Sequence, residues 1–76
     1  MLKRFKVIIE AEIEAGGYSA HVPALPGCAS QGESIRETLG NIKEAVKLYI
    51  WSLKDDGLPI PKSDVNVVMK EIEVSV

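Results

Sequence analysis

The sequence FKVIIEAEIEAGGYSAHV at residues 5–22 decides the fold. Its first half is apolar at every odd position, and the even positions include three glutamates: Glu10, Glu12 and Glu14. This alternation with β-branched residues predicts a strand over residues 5–13 with one buried face. Gly16 and Gly17 supply the positive φ values of a tight hairpin turn. Residues 18–22 are apolar at even positions and form the predicted second strand.

The change of parity across the turn predicts the register of this hairpin. Facing positions of an antiparallel pair have a constant sum of residue numbers, so a two-residue turn at the glycines puts Ile13 opposite Ala20. On the other face, His21 then lies opposite Glu12. The sequence therefore predicts a hairpin with one apolar and one polar face.

The middle of the chain predicts a third strand and then one long helix. Residues 28–31 are short and mostly small, and we expect a strand there that ends at Gly32. Ser34 with Glu37 is a capping box, so Ser34 is the expected N-cap of a helix over residues 35–56. The apolar stripe of this helix consists of Ile35, Leu39, Ile42, Val46, Tyr49, Ile50 and Leu53.

The end of the chain predicts a last strand. Gly57, Pro59 and Pro61 end the helix, and residues 65–76 return to alternation. The element order β-β-β-α-β predicts an α+β fold of two layers, in which the helix covers one face of a four-stranded sheet. At 76 residues the chain is one domain, residues 1–76.

Composition excludes several classes of protein. Cys28 is the only cysteine, which excludes an intramolecular disulfide and a cysteine-based zinc site. The formal charge of −2 argues against a broad basic face for nucleic acid. The first apolar run meets glutamates too early for a signal peptide or a membrane span. We expect a soluble cytoplasmic protein.

The outer side of the predicted helix carries an unusual apolar pair. Trp51 lies opposite Ile42 on the helix, Leu48 lies beside Trp51, and Gly40 is on the same outer side. A domain of this size buries only about 60% of its unfolded surface, so self-association is a reasonable expectation. We expect a homodimer or higher homo-oligomer through these three residues. The alternative is that Trp51 folds over the edge of the domain.

The polar residues do not combine into an active site. His21 has no nucleophile placed to accept its help, so we interpret it as a surface histidine. Cys28 is interpreted as a small buried apolar residue. The three glutamates could bind a cation, but their parallel side chains, about 7 Å apart along a strand, do not converge. We interpret them as a solvated face, and we expect no cofactor, metal or catalytic residue.

Five short motifs give the chain a family resemblance. It resembles the HicB antitoxin family in GGY at residues 16–18, VPALPGC at 22–28, QGES at 31–34, NIKEA at 41–45 and PIP at 59–61. The resemblance covers nearly the whole chain. It implies a partial RNase H-like fold with strand order 3-2-1-4 and the last strand parallel to the first. Many family members add a C-terminal DNA-binding domain, and we expect no separate one here.

The resemblance also implies a function. Similar proteins neutralise HicA-type toxins, which are small basic ribonucleases that cleave mRNA. We expect an antitoxin-like interaction protein that masks such a toxin and contacts neither nucleic acid nor a membrane. The predicted partner-binding residues are Glu10, Glu12, Glu14, His21, Pro23, Leu25 and Pro26. The proline-rich loop also has a purely structural interpretation, with Leu25 closing the end of the core. The alternative function is an RNase H-like nuclease or RNA-processing enzyme with residual metal-dependent activity.

Overall fold

The computed structural model describes residues 2–61 and 71–75. The elements are β1 (Leu2–Lys6), β2 (Ile8–Ala11), β3 (Tyr18–His21), β4 (Ala29–Gly32), α1 (Ile35–Asp55) and β5 (Glu71–Ser75). The α+β class with a single long helix after the third predicted strand is confirmed. The predicted first strand is divided in two at Val7, and the predicted third strand is β4. Residues 62–70, where the last strand was predicted to begin, lie outside the described residues.

The strands form two antiparallel sheets, in the orders β2-β3-β4 and β1-β5. The expected four-stranded mixed sheet of order 3-2-1-4 is therefore wrong, and so is the parallel last strand. The reason is that the two halves of the predicted first strand pair with different partners, β1 with β5 and β2 with β3. The antiparallel register places Arg4 opposite Glu73 and Lys6 opposite Glu71.

In the β2–β3 hairpin, odd positions of β2 face even positions of β3 as predicted, but the register differs from the predicted one. Ile9, and not Ile13, lies opposite Ala20, and Ile8, and not Glu12, lies opposite His21. The amide of Glu12 donates to the carbonyl of Gly17 at 2.9 Å, so the turn comprises residues 13–16. Ile13 is consequently 93% exposed at the tip of the turn, which contradicts its predicted burial.

Two glycines fix the hairpin against the rest of the sheet. Gly17 has a φ of +79°, and a Cβ there would lie 2.6 Å from the carbonyl oxygen of Gly32. At Gly32, a Cβ would lie 2.8 Å from the amide nitrogen of Thr38 in the first turn of α1. The end of the hairpin, the end of β4 and the start of α1 are thus in backbone contact.

The start of α1 follows the capping prediction. Ser34 is the N-cap, and its Oγ accepts a hydrogen bond from the amide of Glu37 at 3.1 Å. Thr38 is fully buried and donates from its Oγ1 to the carbonyl of Ser34 at 2.7 Å. The first turn of α1 thus contributes Thr38 to the core, whereas Ile35, which the predicted apolar stripe included, is exposed. This hydrogen bond explains how a polar side chain is accommodated in the core.

The end of α1 follows from the glycine that succeeds it. Gly57 has a φ of +71°. Its amide donates to the carbonyl of Lys54 at 3.1 Å, and the amide of Leu58 donates to the carbonyl of Leu53 at 2.8 Å. This pair of bonds is the Schellman arrangement, which uses two of the last free carbonyls of the helix. The predicted end of the helix is confirmed to within one residue.

The core joins both sheets to one side of α1. Its buried residues are Phe5, Val7, Ala20, Val22, Leu25, Cys28, Ile42, Val46, Ile50 and Ile72. The predicted stripe is confirmed for Ile42, Val46 and Ile50. Outside the core, the Nδ2 of Asn41 on α1 donates to the carbonyl of Gln31 on β4 at 2.8 Å. Within the described residues, no helix combines the length and hydropathy that a membrane crossing requires.

Candidate functional site

In the described part of the chain, α1 packs against one face of the three-stranded sheet and leaves the other face open. Alternation from the buried Ala20 assigns to this open sheet face the side chains of Ile8, Glu10, Ser19, His21, Ala29 and Gln31. Glu10 and His21 are both exposed there. Glu10 faces Ser19, and His21 is the next residue of β3 on the same face. The structure thus brings together two of the predicted partner-binding residues.

An acidic surface lies at one end of this sheet. An open cleft of about 360 Å³ is lined by Glu12, Ala15, Gly16, Tyr18, Gln31, Gly32, Glu33 and Glu37. Glu14 is exposed in the adjoining turn. We define the acidic end as Glu12, Glu14, Glu33 and Glu37. Its carboxylates come from the hairpin turn and from the start of α1, which the backbone contacts of Gly17 and Gly32 hold together.

The predicted glutamate row is therefore rearranged. Only Glu10 lies in a strand, and Glu12 and Glu14 belong to the turn or its border. The Oε1 of Glu12 accepts a hydrogen bond from the Oγ of Ser19 at 2.7 Å, which orients this carboxylate. Sequence reasoning missed Glu33 and Glu37 as neighbours of Glu12. The capping box around Ser34 indicated only that they begin a helix.

The proline-rich loop lies at the opposite end of β3. Its backbone is closed by three hydrogen bonds, among them one from the amide of Leu25 to the carbonyl of Val22 at 3.0 Å. Pro23 and Pro26 are exposed, whereas Leu25 is fully buried. The predicted contact of Leu25 with a partner is corrected, because its side chain fills the end of the core. This is the structural role that the sequence also allowed.

The described residues offer little for catalysis. They contain no group of three histidine, cysteine or acidic side chains that could hold a metal ion. Cys28 is buried, and desolvation raises the pKa of its thiol, which keeps it protonated and unreactive at neutral pH. His21 is exposed and lies opposite Ile8, so Glu12 does not orient it as a base.

The outer face of α1 is a second exposed surface. Trp51 is 64% exposed and Leu48 is 69% exposed, so Trp51 does not fold over the edge of the domain. Gly40 is exposed on the same side, and a Cβ there would meet no heavy atom within 4 Å. Lys47 and Glu44 form an exposed ion pair at 3.3 Å on this face. The structure therefore places the three predicted self-association residues on one exposed helix face.

Comparison with known proteins gives the chain a family. Residues 5–75 match the family described as HicB-like antitoxin of bacterial toxin-antitoxin systems. A UPF0150 protein of Synechocystis is 42% identical over 72 residues, covering 95% of this chain and 87% of the relative. A UPF0150 protein of Helicobacter pylori is 46% identical over 71 residues, covering 91% and 97% respectively.

A solved structure gives the same fold. One chain of a structure titled "HicA3 and HicB3 toxin-antitoxin complex" is similar with a TM-score of 0.63 and 21% sequence identity. The match covers 87% of this chain and 72% of that chain. At this identity the likeness concerns the fold, whereas the family follows from the match over residues 5–75. The chain belongs to the HicB-like antitoxins of bacterial toxin-antitoxin systems.

Proposed function

We propose that this protein is a non-enzymatic antitoxin that binds a HicA-type toxin in the cytoplasm and masks its surface. Membership of the HicB-like antitoxin family is the observation that carries this proposal. The acidic end and the open sheet face support it, because they give a basic protein an oppositely charged surface to approach. Opposite potentials raise association rates and select the orientation of the encounter. An acidic surface also repels phosphate, so we expect no direct contact with nucleic acid.

The charges are distributed so as to orient a basic partner. The basic residues of the first strand, Lys3, Arg4 and Lys6, lie on β1, whereas the acidic end follows β2. If the chain between them is extended, Lys6 and Glu12 are roughly 20 Å apart. Negative charge is thus concentrated at the hairpin turn, away from β1. A basic toxin is drawn toward the hairpin turn rather than toward β1.

One partner is large enough to use both predicted contact regions. A standard interface covers about 800 Å² on each protein, which is on the order of 30 Å across. The four residues of β3 extend only about 13 Å. A toxin centred on Glu10 and His21 therefore reaches the acidic end on one side and Pro23 and Pro26 on the other. We propose this footprint for the toxin.

Charge reversal tests this footprint. The variant Glu10→Lys/Glu14→Lys changes two exposed carboxylates of the hairpin. A control with the same change in net charge is Asp55→Lys/Asp56→Lys, at the far end of α1. Binding of a catalytically inactive HicA-type toxin from the same genome is measured by calorimetry at low and high salt. We expect roughly 10- to 100-fold weaker binding for the first variant at low salt, less at high salt, and little change for the control.

The possible outcomes separate the surface from the function. Wild-type affinity in the Glu10→Lys/Glu14→Lys variant would contradict the footprint, and an equal loss in the control would show that only net charge matters. Failure of the wild-type chain to bind the toxin would contradict the antitoxin role. Purified protein is also incubated with RNA and with an RNA–DNA hybrid in Mg²⁺ and Mn²⁺, where we expect no cleavage. Cleavage that Glu12→Ala abolishes would favour the nuclease alternative.

Self-association is a separate proposal. We propose that the protein is a homo-oligomer and that it uses the outer face of α1 for this purpose. Gly40, Leu48 and Trp51 are on the side of the helix turned away from the sheets, and none of them belongs to the toxin footprint.

A further inference from the structure

The tip of the β2–β3 hairpin exposes an isoleucine to solvent. Ile13 is 93% exposed, more than any other large apolar side chain in the described part of the chain. Its neighbours Glu12, Glu14, Ala15 and Gly16 are exposed as well. Turns favour glycine, proline, asparagine, aspartate and serine rather than a β-branched apolar residue. Neither packing among the described residues nor the chemistry of the turn therefore accounts for an isoleucine at this position.

The backbone beside Ile13 is fixed by hydrogen bonds. Glu12 is held at both of its backbone groups, because its amide donates to the carbonyl of Gly17 at 2.9 Å and its carbonyl accepts from the amide of Gly16 at 2.7 Å. The Oγ of Ser19 also donates to the carboxylate of Glu12 at 2.7 Å. Ile13 follows directly in the chain, and its branched side chain has few rotamers. A tip held in this way loses little conformational entropy when a partner encloses it.

We propose that Ile13 is the apolar anchor of the toxin contact, and that it enters a pocket of the partner that is apolar inside and positively charged around its rim. This inference rests on the proposed function and specifies the surface that the toxin must offer. The tip of a hairpin can be enclosed on several sides. Ile13 is therefore desolvated on binding even though it lies at one end of the footprint.

The charges beside Ile13 determine which kind of occupant fits. Glu12 and Glu14 flank it in the chain, and Glu33 and Glu37 line the adjoining cleft. A surface that covers Ile13 comes near these four carboxylates, so cationic groups around an apolar recess are attracted and anionic groups are repelled. Nucleic acid and an anionic membrane are disfavoured for this reason. The same tip of a second copy carries the same four charges and is also repelled. A basic protein is the occupant that this chemistry selects.

The apolar area of the side chain sets the size of the effect. Ile13→Ala removes three carbon atoms from the contact, and we expect toxin binding to weaken roughly 10- to 100-fold. Ions do not screen an apolar contact, so this loss is similar at low and high salt, unlike the loss caused by Glu10→Lys/Glu14→Lys. The heat-capacity change of binding becomes less negative in the variant, because less apolar surface is buried.

Calorimetry with a catalytically inactive HicA-type toxin from the same genome tests the anchor. The matched control is Leu48→Ala, which shortens another exposed apolar side chain outside the toxin footprint. We expect wild-type affinity for the control and the stated loss for Ile13→Ala. Both variants should keep the wild-type stability in urea unfolding, because neither side chain belongs to the core.

A charged substitution separates an apolar anchor from a purely electrostatic contact. Ile13→Asp adds a carboxylate to the acidic end and places at the tip a residue that turns favour. If charge alone governed binding, this variant would bind a basic toxin more tightly than the wild type does. An apolar pocket instead rejects the carboxylate, so we expect at least tenfold weaker binding at high salt.

The outcomes distinguish the anchor from the antitoxin role. If the wild-type chain binds the toxin and Ile13→Ala binds it equally well, or Ile13→Asp binds it more tightly at high salt, the anchor is contradicted and the antitoxin role stands. A wild-type chain that does not bind the toxin contradicts both. Sedimentation of Ile13→Ala should match that of the wild type. Weaker self-association of this variant would show that a second copy covers Ile13, and would also overturn the proposal.

Discussion

The two outer faces of this fold differ in chemistry. The open sheet face is mostly polar, with Glu10 and His21 exposed and the acidic end beside it. The outer face of α1 carries two of the large exposed apolar side chains, Leu48 and Trp51. A polar charged face suits a partner that is attracted from a distance, whereas an exposed tryptophan suits a contact that excludes water. The comparison teaches that one small core can present two exposed surfaces of different chemistry.

The largest effect is expected from a substitution in the core, because the core supports both faces. Ile42 is fully buried between α1 and the sheets. Ile42→Ala leaves a cavity and lowers the free energy of unfolding by about 2–5 kcal/mol, which weakens toxin binding and self-association together. The control Leu48→Ala changes an exposed residue and costs less than about 0.5 kcal/mol. Urea unfolding followed by circular dichroism measures both, and similar losses for the two variants would contradict the core assignment.

A smaller effect is expected from substitutions at the two glycines beside the acidic end. Gly17→Ala adds a Cβ 2.6 Å from the carbonyl of Gly32 at a positive φ. Gly16→Ala has the same φ of +79° and open space around the new atom. We expect about 1–2 kcal/mol of backbone strain in both variants, and a further loss only for Gly17→Ala.

Thermal unfolding of the two glycine variants supplies the measurement. Equal midpoints would show that the hairpin does not depend on the contact between Gly17 and Gly32. Toxin affinity, measured below the unfolding transition, should fall more for Gly17→Ala. Self-association should be the same in both variants, which sharpens the contrast between the two faces.

The smallest expected effect concerns the start of α1. Ser34→Ala removes the oxygen that accepts from the amide of Glu37, and we expect a loss of about 1 kcal/mol in unfolding free energy. Ser52→Ala is the matched control, because it replaces an exposed serine inside the same helix with a better helix former. Its unfolding free energy should be unchanged or slightly higher. A Ser34→Ala variant as stable as the control would show that the cap is replaced by water.

Local signals made the helix predictable. Ser34 and Gly57 act through their own side chain or backbone, so the sequence located both ends of α1 within one residue. The same holds for the buried stripe at Ile42, Val46 and Ile50. The burial of Thr38 was not predicted, because threonine is polar. Its hydroxyl is accommodated in the core by a hydrogen bond to the carbonyl of Ser34.

The hairpin and the sheets were less predictable, since they depend on distant contacts. A two-residue turn and a four-residue turn both bring odd positions of β2 opposite even positions of β3. Alternation alone therefore did not distinguish Ile9 from Ile13 as the residue opposite Ala20. The hydrogen bond from the amide of Glu12 to the carbonyl of Gly17 joins the two sides of the hairpin in the observed register. The direction of β5 was also open, because a long connection permits either one. The alternation of charged and apolar residues in β1 and β5 is compatible with either direction, so the antiparallel pairing was not predicted.

The candidate site was predictable only in part. The acidic character of residues 10–14 and the exposed apolar pair on α1 were evident from the sequence. Glu33 and Glu37 join Glu12 only because β4 ends beside the hairpin turn. Leu25 was ambiguous, because a leucine between two prolines is equally compatible with a surface loop and with a plug for the core.

The bond between Asn41 and Gln31 has a consequence for how this protein avoids aggregation. In the described part of the chain, β4 pairs with β3 alone. The amide of Val22 donates to the carbonyl of Cys28, and the direction of the backbone groups alternates along the strand, so the carbonyl of Gln31 points away from β3. Asn41 occupies that carbonyl, so an incoming strand finds one acceptor of its ladder already taken. The edge of β4 is thereby less available for pairing with a strand of another chain.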